Sequence, residues 1–206
     1  MPKVESAPVA GDKETRILAA AVRVFAERGY HDSGMAVVAR EAGVATGTIY
    51  LYFARKQDLL IALFQRHLAE YMERCGPALA GERPGVPRLR RLTEQHLAFF
   101  AGDRALATVF QIHIREPDPI LAEGIRPTVA AYFDLIGGVI TAGVASGAFS
   151  PDLDVRLARQ VFFGAVDEIV TGWIRSKRPY ELMSVLDPVA AMLARGFGAD
   201  VAGGSA

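Results

Sequence analysis

The sequence predicts an all-α fold, on three observations. Apolar residues recur three and four apart in stretch after stretch from Thr15 to Phe197. No stretch alternates apolar and polar residues with a period of two, and no internal repeat is present. Gly, Pro and Asp fall where one periodic stretch ends and the next begins. With 206 residues, 51% of them hydrophobic, the chain can bury a sizeable core in one or two domains.

Met1 to Gly11 reads as a polar, disordered tail without the apolar core of a signal peptide. The first helix runs from Lys13 to Arg28 with Asp12 as its cap. Ile17, Ala21, Val24 and Phe25 form its apolar stripe, and Gly29 follows at the C′ position. Tyr30-His31-Asp32 is a turn, and Ser33 or Gly34 starts a short second helix, Met35 to Ala42. Gly43-Val44-Ala45 is the turn before a third helix, roughly Thr46 to Phe53. Ile49 and Phe53 face inward there, leaving Thr46, Gly47, Thr48, Tyr50 and Tyr52 on the remaining surface. Together they make a helix-turn-helix over residues 12–58, whose third helix is suited to a DNA groove. Gly47 allows close backbone approach to a phosphate, and Thr and Tyr hydroxyls suit phosphate oxygens. The alternative is a small helical subdomain with ordinary exposed tyrosines.

A larger helical domain spans 59–197. Its first helix starts near Lys56 and ends at Gly76-Pro77, linking the two parts through Leu60, Leu63, Phe64, His67 and Tyr71. After a Gly/Pro loop, Leu89 to Ala101 is a helix with a basic cluster (Arg88, Arg90, Arg91) at its start. Arg104 to Ile114 is another, capped by Asp103, and 115–119 interrupts the pattern. A long helix from Ile120 to Ser146 follows, with a bend expected at Pro127 and Gly147 as its stop. Val155 to Arg175, capped by Asp154, is apolar on more than one face, which calls for a partner subunit besides its own domain. Leu182 to Phe197 is the last helix, and 198–206 is a disordered tail.

Composition excludes several classes. Lys+Arg and Asp+Glu number 23 each, so overall charge does not announce nucleic acid. Between Asp12 and Lys56 the basic excess is two: Lys13, Arg16, Arg23, Arg28, Arg40, Arg55 and Lys56 against Asp12, Glu14, Glu27, Asp32 and Glu41. One cysteine, Cys75, allows no intrachain disulfide and fits the reducing cytoplasm. Thr128 to Phe149 is apolar enough to suggest a membrane. Asp134 and four glycines point instead to the core of a soluble protein, with no membrane partner. The four histidines show no metal-ligand spacing, GVATG lacks the Lys-Ser/Thr end of a phosphate loop, and GxSxG is absent. Asp167 and Glu168 are adjacent, so a helix points them about 100° apart, poor geometry for shared acid–base work. No enzyme is predicted, and no cofactor.

TRILAAAVRVFAERGY and VAREAGVATGTIYLYFARKQDLL, over Thr15 to Leu63, resemble the DNA-binding domain of TetR-family transcriptional repressors. The resemblance implies DNA contacts by Ser33, Thr46, Gly47, Thr48, Tyr50, Leu51 and Tyr52, and a phosphate contact by Lys56. The chain departs from the family pattern at Ala45-Thr46 (often Ser-Lys), Ala36 (often Arg) and Leu51 (often polar). Leu51 suits a thymine methyl instead. IHIRE and DVRLARQVFFGAVDEIVTGWI, with AGVASGAFSPDLD before the latter, resemble the fatty-acid-degradation repressors of that family, which respond to long-chain acyl-CoA. On that resemblance Phe99, Phe100, Phe110, Tyr132, Phe133, Phe162, Phe163 and Trp173 line an acyl tunnel, each with plain core packing as the alternative. Arg115 meets a CoA phosphate or pairs with Asp167 or Glu168. The implied protein is a homodimer through 155–175 and 182–197, bound to a pseudo-palindromic double-stranded operator. Its two readers sit about 34–36 Å apart. Two other readings stay open: a repressor sensing another hydrophobic ligand, such as a drug or free fatty acid, and a helical lipid-binding protein whose reader has decayed.

Overall fold

The structure is a computed structural model that describes residues 10–115, 117–178 and 180–199. Among these are nine α-helices, one 3-10 turn and no strand: α1 (Ala10–Arg28), α2 (Met35–Glu41), α3 (Thr46–Tyr52), α4 (Lys56–Ala80), α5 (Val86–Ala101), α6 (Arg104–His113), α7 (Pro119–Ala145), α8 (Val155–Arg175) and α9 (Leu186–Gly196). The all-α class read from the sequence is the one observed.

Most boundaries follow the local signals. Gly29, Gly43 and Gly147 take positive φ at helix ends (80°, 65° and 72°). Asp103 and Asp154 accept the backbone N–H of Leu106 and of Arg156 and Leu157. Asp118, inside the expected interruption, caps α7 through Ile120 and Leu121.

Five boundaries differ by two residues or more, each for a physical reason. α5 begins at Val86 rather than Leu89, because Pro87 fits the first turn of a helix, where its missing N–H is not needed. Ala10 and Gly11, expected in the tail, are already helical, so Asp12 lies inside α1 rather than before it; residues 1–9 lie outside the described residues. α4 does not stop at Gly76-Pro77. It runs on to Ala80, because the row Tyr71, Cys75, Leu79 is buried in the far core and offsets the ladder bond that Pro77 cannot make. The last helix is split. Pro188 has no N–H for the Ser184 carbonyl, so Leu182–Val185 is a 3-10 turn and Pro188 sits in the first turn of α9. Gly198 and Ala199, expected as tail, fold back on the Arg195 and Ala194 carbonyls (3.0 and 2.9 Å); 200–206 lie outside the described residues.

Two buried clusters hold the fold. The first runs without a break from the reader (Ile17, Phe25, Ile49, Phe53) through α4 (Leu60, Leu63, Phe64) into α5, α6, α7 and α8 (Phe100, Phe110, Ile125, Val170). The second fills the far end with Cys75, Leu92, Ile140, Phe149, Phe162 and Leu193, among others. α1 packs on α2, α4 and α6, and α4 packs on α5 and α7. The reader therefore shares a core with the larger domain and is not tethered by a linker alone. α7 is long and apolar enough, by composition, to cross a membrane. Its Ile125, Tyr132, Ile136, Val139 and Ile140 are buried inside the bundle. The basic cluster at the start of α5 is committed to its own fold: Arg88 and Arg91 to Glu82, Arg91 also to Glu94, and Arg90 to Asp187 in the first turn of α9.

Candidate DNA-reading surface and effector site

Arg16 on α1 fixes the helix-turn-helix turn. Its guanidinium donates to the Ala42 carbonyl (2.8 Å) and the Gly43 carbonyl (3.1 Å), so α3 leaves the turn at a set angle. Within α3, Ile49 is fully buried and Phe53, just after it, nearly so, as the spacing predicts. Tyr50 and Leu51 project outward, 51% and 85% exposed, and Thr46 and Gly47 are exposed at the helix start. Thr48 and Tyr52 are half-buried, with Tyr52 packed on the first core cluster. An apolar side chain as exposed as Leu51 on such a face suits contact with another surface.

Two predicted DNA contacts are placed differently. Ser33 is buried, and its hydroxyl donates to the Gly29 carbonyl at 2.7 Å, so it serves the loop between α1 and α2. Lys56 turns inward. Its ammonium donates to the carbonyls of Tyr30 (2.7 Å), Ser33 (3.1 Å) and His31 (3.2 Å) and lies 4.3 Å from the centre of the Tyr30 ring. An ammonium has three protons, and here all three are used. Burial lowers its pKa against the opposing pull of Asp32. Next to it, the Arg55 guanidinium hydrogen-bonds Asp58 and holds that carboxyl below its usual range, fixing the start of α4. Lys56→Met is therefore expected to speed amide exchange across residues 30–34 and to weaken operator binding by the same factor at every salt concentration. A slope of log affinity against log salt reduced by about one, with exchange unchanged, would return Lys56 to direct phosphate contact.

The larger domain holds two adjoining spaces. The outer one is an open cleft of about 500 Å³ between the end of α6, α7 and α8. Arg115, Arg126 and Arg159 line it with Phe133 and Asp134. Arg126 pairs with Glu123 (2.7 Å) and Arg159 with Asp134 (3.6 Å). Pairs this exposed contribute little and exchange partners readily. The inner space is about 30 Å³ and enclosed by α4, α5, α6, α7 and α8. Phe99, Phe100, Phe110 and Tyr132 wall it, and Ile114, Val129 and Phe163 belong to both spaces. As packed, it has room for one or two waters, so a chain that enters must part the helices.

A polar network lies against this greasy space. Asp167, buried on α8, pairs with Arg115 and accepts from Gln111 Nε2 at 2.9 Å. Thr171 donates to Gln111 Oε1 at 2.8 Å. Arg115 thus has the ion-pair partner foreseen for it and still reaches the cleft, more than half exposed. Phe162 and Trp173, predicted for the tunnel, line neither space. Phe162 turns into the second core cluster, about 100° round α8 from Phe163. Trp173 closes the end of α8: its Nε1–H donates to the Tyr180 carbonyl at 3.0 Å, and Arg104 stacks 4.7 Å above its ring. Sequence reasoning missed Arg126, Arg159 and Gln111 as lining residues, and no local signal marks them. Tyr71 did show, on the apolar face of the helix that starts at Lys56. Among the described residues, no group of three or more His, Cys, Asp or Glu could hold a metal ion.

A helix-turn-helix head sharing its core with a helical body is the architecture of a DNA-binding transcriptional regulator. Residues 17–63 match the family of bacterial regulatory proteins, tetR family, and residues 64–196 match the C-terminal region of YsiA-like proteins. The chain belongs to the TetR family of regulators. It is 38% identical over 184 residues to the fatty acid metabolism regulator protein of Bacillus subtilis, covering 89% of this chain and 95% of that one. The crystal structure of the transcriptional regulator FadR from Bacillus subtilis in complex with stearoyl-CoA superposes with a TM-score of 0.84, at 38% identity, over 88% of this chain and 98% of that one. The fatty acid degradation regulator FadR from Bacillus halodurans does so with a TM-score of 0.84 at 37% identity, over 88% and 98%.

Proposed function

We propose that this chain is a homodimeric repressor of fatty-acid degradation genes, acting in the cytoplasm and released from a pseudo-palindromic operator by long-chain acyl-CoA. One observation carries the ligand class: an open cleft with three arginines adjoins an aromatic cavity, with Ile114, Val129 and Phe163 as shared walls. Acyl-CoA has that polarity, with phosphates at one end and hydrocarbon at the other. Arg115, Arg126 and Arg159 take the CoA phosphates, Phe133 and Phe163 flank the passage, and Phe99, Phe100, Phe110 and Tyr132 meet the chain. The 38% identity to a fatty acid metabolism regulator and the fit to a stearoyl-CoA complex support the reading.

On the DNA side, Thr46, Gly47, Thr48, Tyr50, Leu51 and Tyr52 form the reading face. Leu157, Val161 and Met192, exposed on α8 and α9, form the dimer face. Entry of a chain into so narrow an inner cavity parts α6, α7 and α8. That motion reaches the reader through the shared core and resets the spacing of the two heads. Coupling of this kind is worth roughly 1–3 kcal/mol, or about 5–150-fold in operator affinity, and DNA weakens effector binding by the same factor.

Saturating stearoyl-CoA is expected to release labelled operator DNA within that range; unchanged operator affinity overturns the reading. Arg115→Ala is expected to cost stearoyl-CoA affinity far more than stearate affinity, measured by calorimetry. Equal losses would point to a free acid or another hydrophobic effector.

A further inference from the structure

The inner cavity has one feature that a hydrocarbon chain does not need. His96 on α5 lines it, is 4% exposed, and lies nearly parallel to Tyr132, with centroids 6.0 Å apart and planes at 19°. Its Nδ1 is 2.5 Å from the Tyr132 hydroxyl. Its Nε2 is buried and has no hydrogen-bond partner among the described residues.

The neighbouring groups indicate which nitrogen carries the proton. The Tyr132 hydroxyl carries one proton, and the hydrogen bond it makes among the described residues is the one to His96 Nδ1. Were the ring to donate instead, that phenolic O–H would be left buried without an acceptor, so Tyr132 donates to Nδ1. Burial lowers the pKa of His96 to about 4, so the ring is neutral at cellular pH and its single proton is on Nε2.

A buried N–H donor with no acceptor is costly to keep. A phenylalanine here would line an acyl cavity without that cost. Asp167, the nearby anion, is occupied by Arg115 and Gln111. The donor therefore fits a neutral acceptor brought in by the ligand. We infer that His96 Nε2–H donates to the thioester carbonyl oxygen of the effector, marking where the CoA portion ends and the hydrocarbon begins. This inference rests on the effector being an acyl-CoA.

The test compares stearoyl-CoA with octadecyl-CoA, the thioether in which a methylene replaces the carbonyl. On the parent chain the thioester is expected to bind about tenfold more tightly, one neutral hydrogen bond to a desolvated donor. On His96→Phe that preference is expected to vanish. Carbonyl-labelled [1-¹³C]stearoyl-CoA gives a second readout. Its infrared carbonyl band is expected at lower frequency in the parent complex than in the His96→Phe complex. Equal affinity of the two ligands for the parent chain, or a band that His96→Phe leaves in place, overturns the inference while the acyl-CoA reading stands. Failure of both ligands to bind the parent chain overturns both.

Discussion

Val161→Arg is expected to give a folded monomer that binds a full operator about 10²–10⁴-fold more weakly than the parent chain, the range by which two linked contacts exceed one. The argument begins with α8, which is apolar on more sides than its own domain can cover. Phe162, Val166 and Val170 are buried within the protomer, while Leu157 and Val161 are 57% and 49% exposed, and Met192 on α9 is 69% exposed. These exposed residues line one groove of about 390 Å³ with Ala165, Leu193 and Phe197. In a two-fold dimer the same face meets its own copy, so one arginine per chain places two like charges in one interface. In the protomer the side chain already reaches solvent, so the fold itself should change by no more than about 0.5 kcal/mol. The DNA consequence follows from the reading face, where Thr46, Gly47, Tyr50 and Leu51 are exposed and none is charged. On the proposed dimer, one such face holds weakly and affinity depends on two faces at a fixed spacing. Sedimentation equilibrium reads the assembly, and anisotropy with full and half operators reads the binding. Parent and variant should bind a half operator alike. A variant that stays dimeric, or a monomer with undiminished affinity for the full operator, removes this dimer face.

The helix-turn-helix was legible because its signals are local. Gly29 and Gly43 mark the stops, and the four-residue step from Ile49 to Phe53 selects the inward face of α3. What was illegible depends on distant partners. Lys56 was read as a phosphate ligand because its position in the chain matches one, yet its protons go to carbonyls 23 to 26 residues away. Ser33 followed the same logic and is spent on Gly29. In the effector site, Phe162 and Phe163 could not be separated by periodicity. α8 is apolar on two sides, and only the packing shows that one ring enters the core and the other the cavity. Asp167 gave no sign of burial, since Gln111 and Arg115 satisfy it from more than 50 residues away. The end of α4 was misplaced because a proline is a strong local stop signal, and the burial of Leu79 that overrides it is a tertiary fact.

Gly124→Val is expected to weaken operator binding by about 5–150-fold with no effector present, and to leave stearoyl-CoA little further effect. α7 and α4 touch closely at this glycine. A Cβ there would lie 2.5 Å from Ile61 Cδ1, 2.8 Å from Cγ1 and 3.0 Å from Cγ2, and Gln65 Nε2 donates to the Gly124 carbonyl at 2.8 Å. Ile61 is β-branched and stiff at χ1, so it cannot simply turn away. The two helices have different tasks. α7 brings Arg126, Val129 and Phe133 to the cleft proposed for the effector, while α4 carries Leu60, Leu63 and Phe64 into the core that the reader shares. An effector that displaces α7 must either move α4 or open this contact. Valine opens it from the inside, imposing on the free protein the displacement that ligand would otherwise cause. Overpacking of this kind costs about 1–3 kcal/mol, which denaturant unfolding should report. Ile61→Ala in the same chain restores the room, and operator affinity and effector response are expected to return together. If the double variant regains stability but not the response, the contact is structural, and the coupling between cleft and reader runs instead through α6 and its packing on α1.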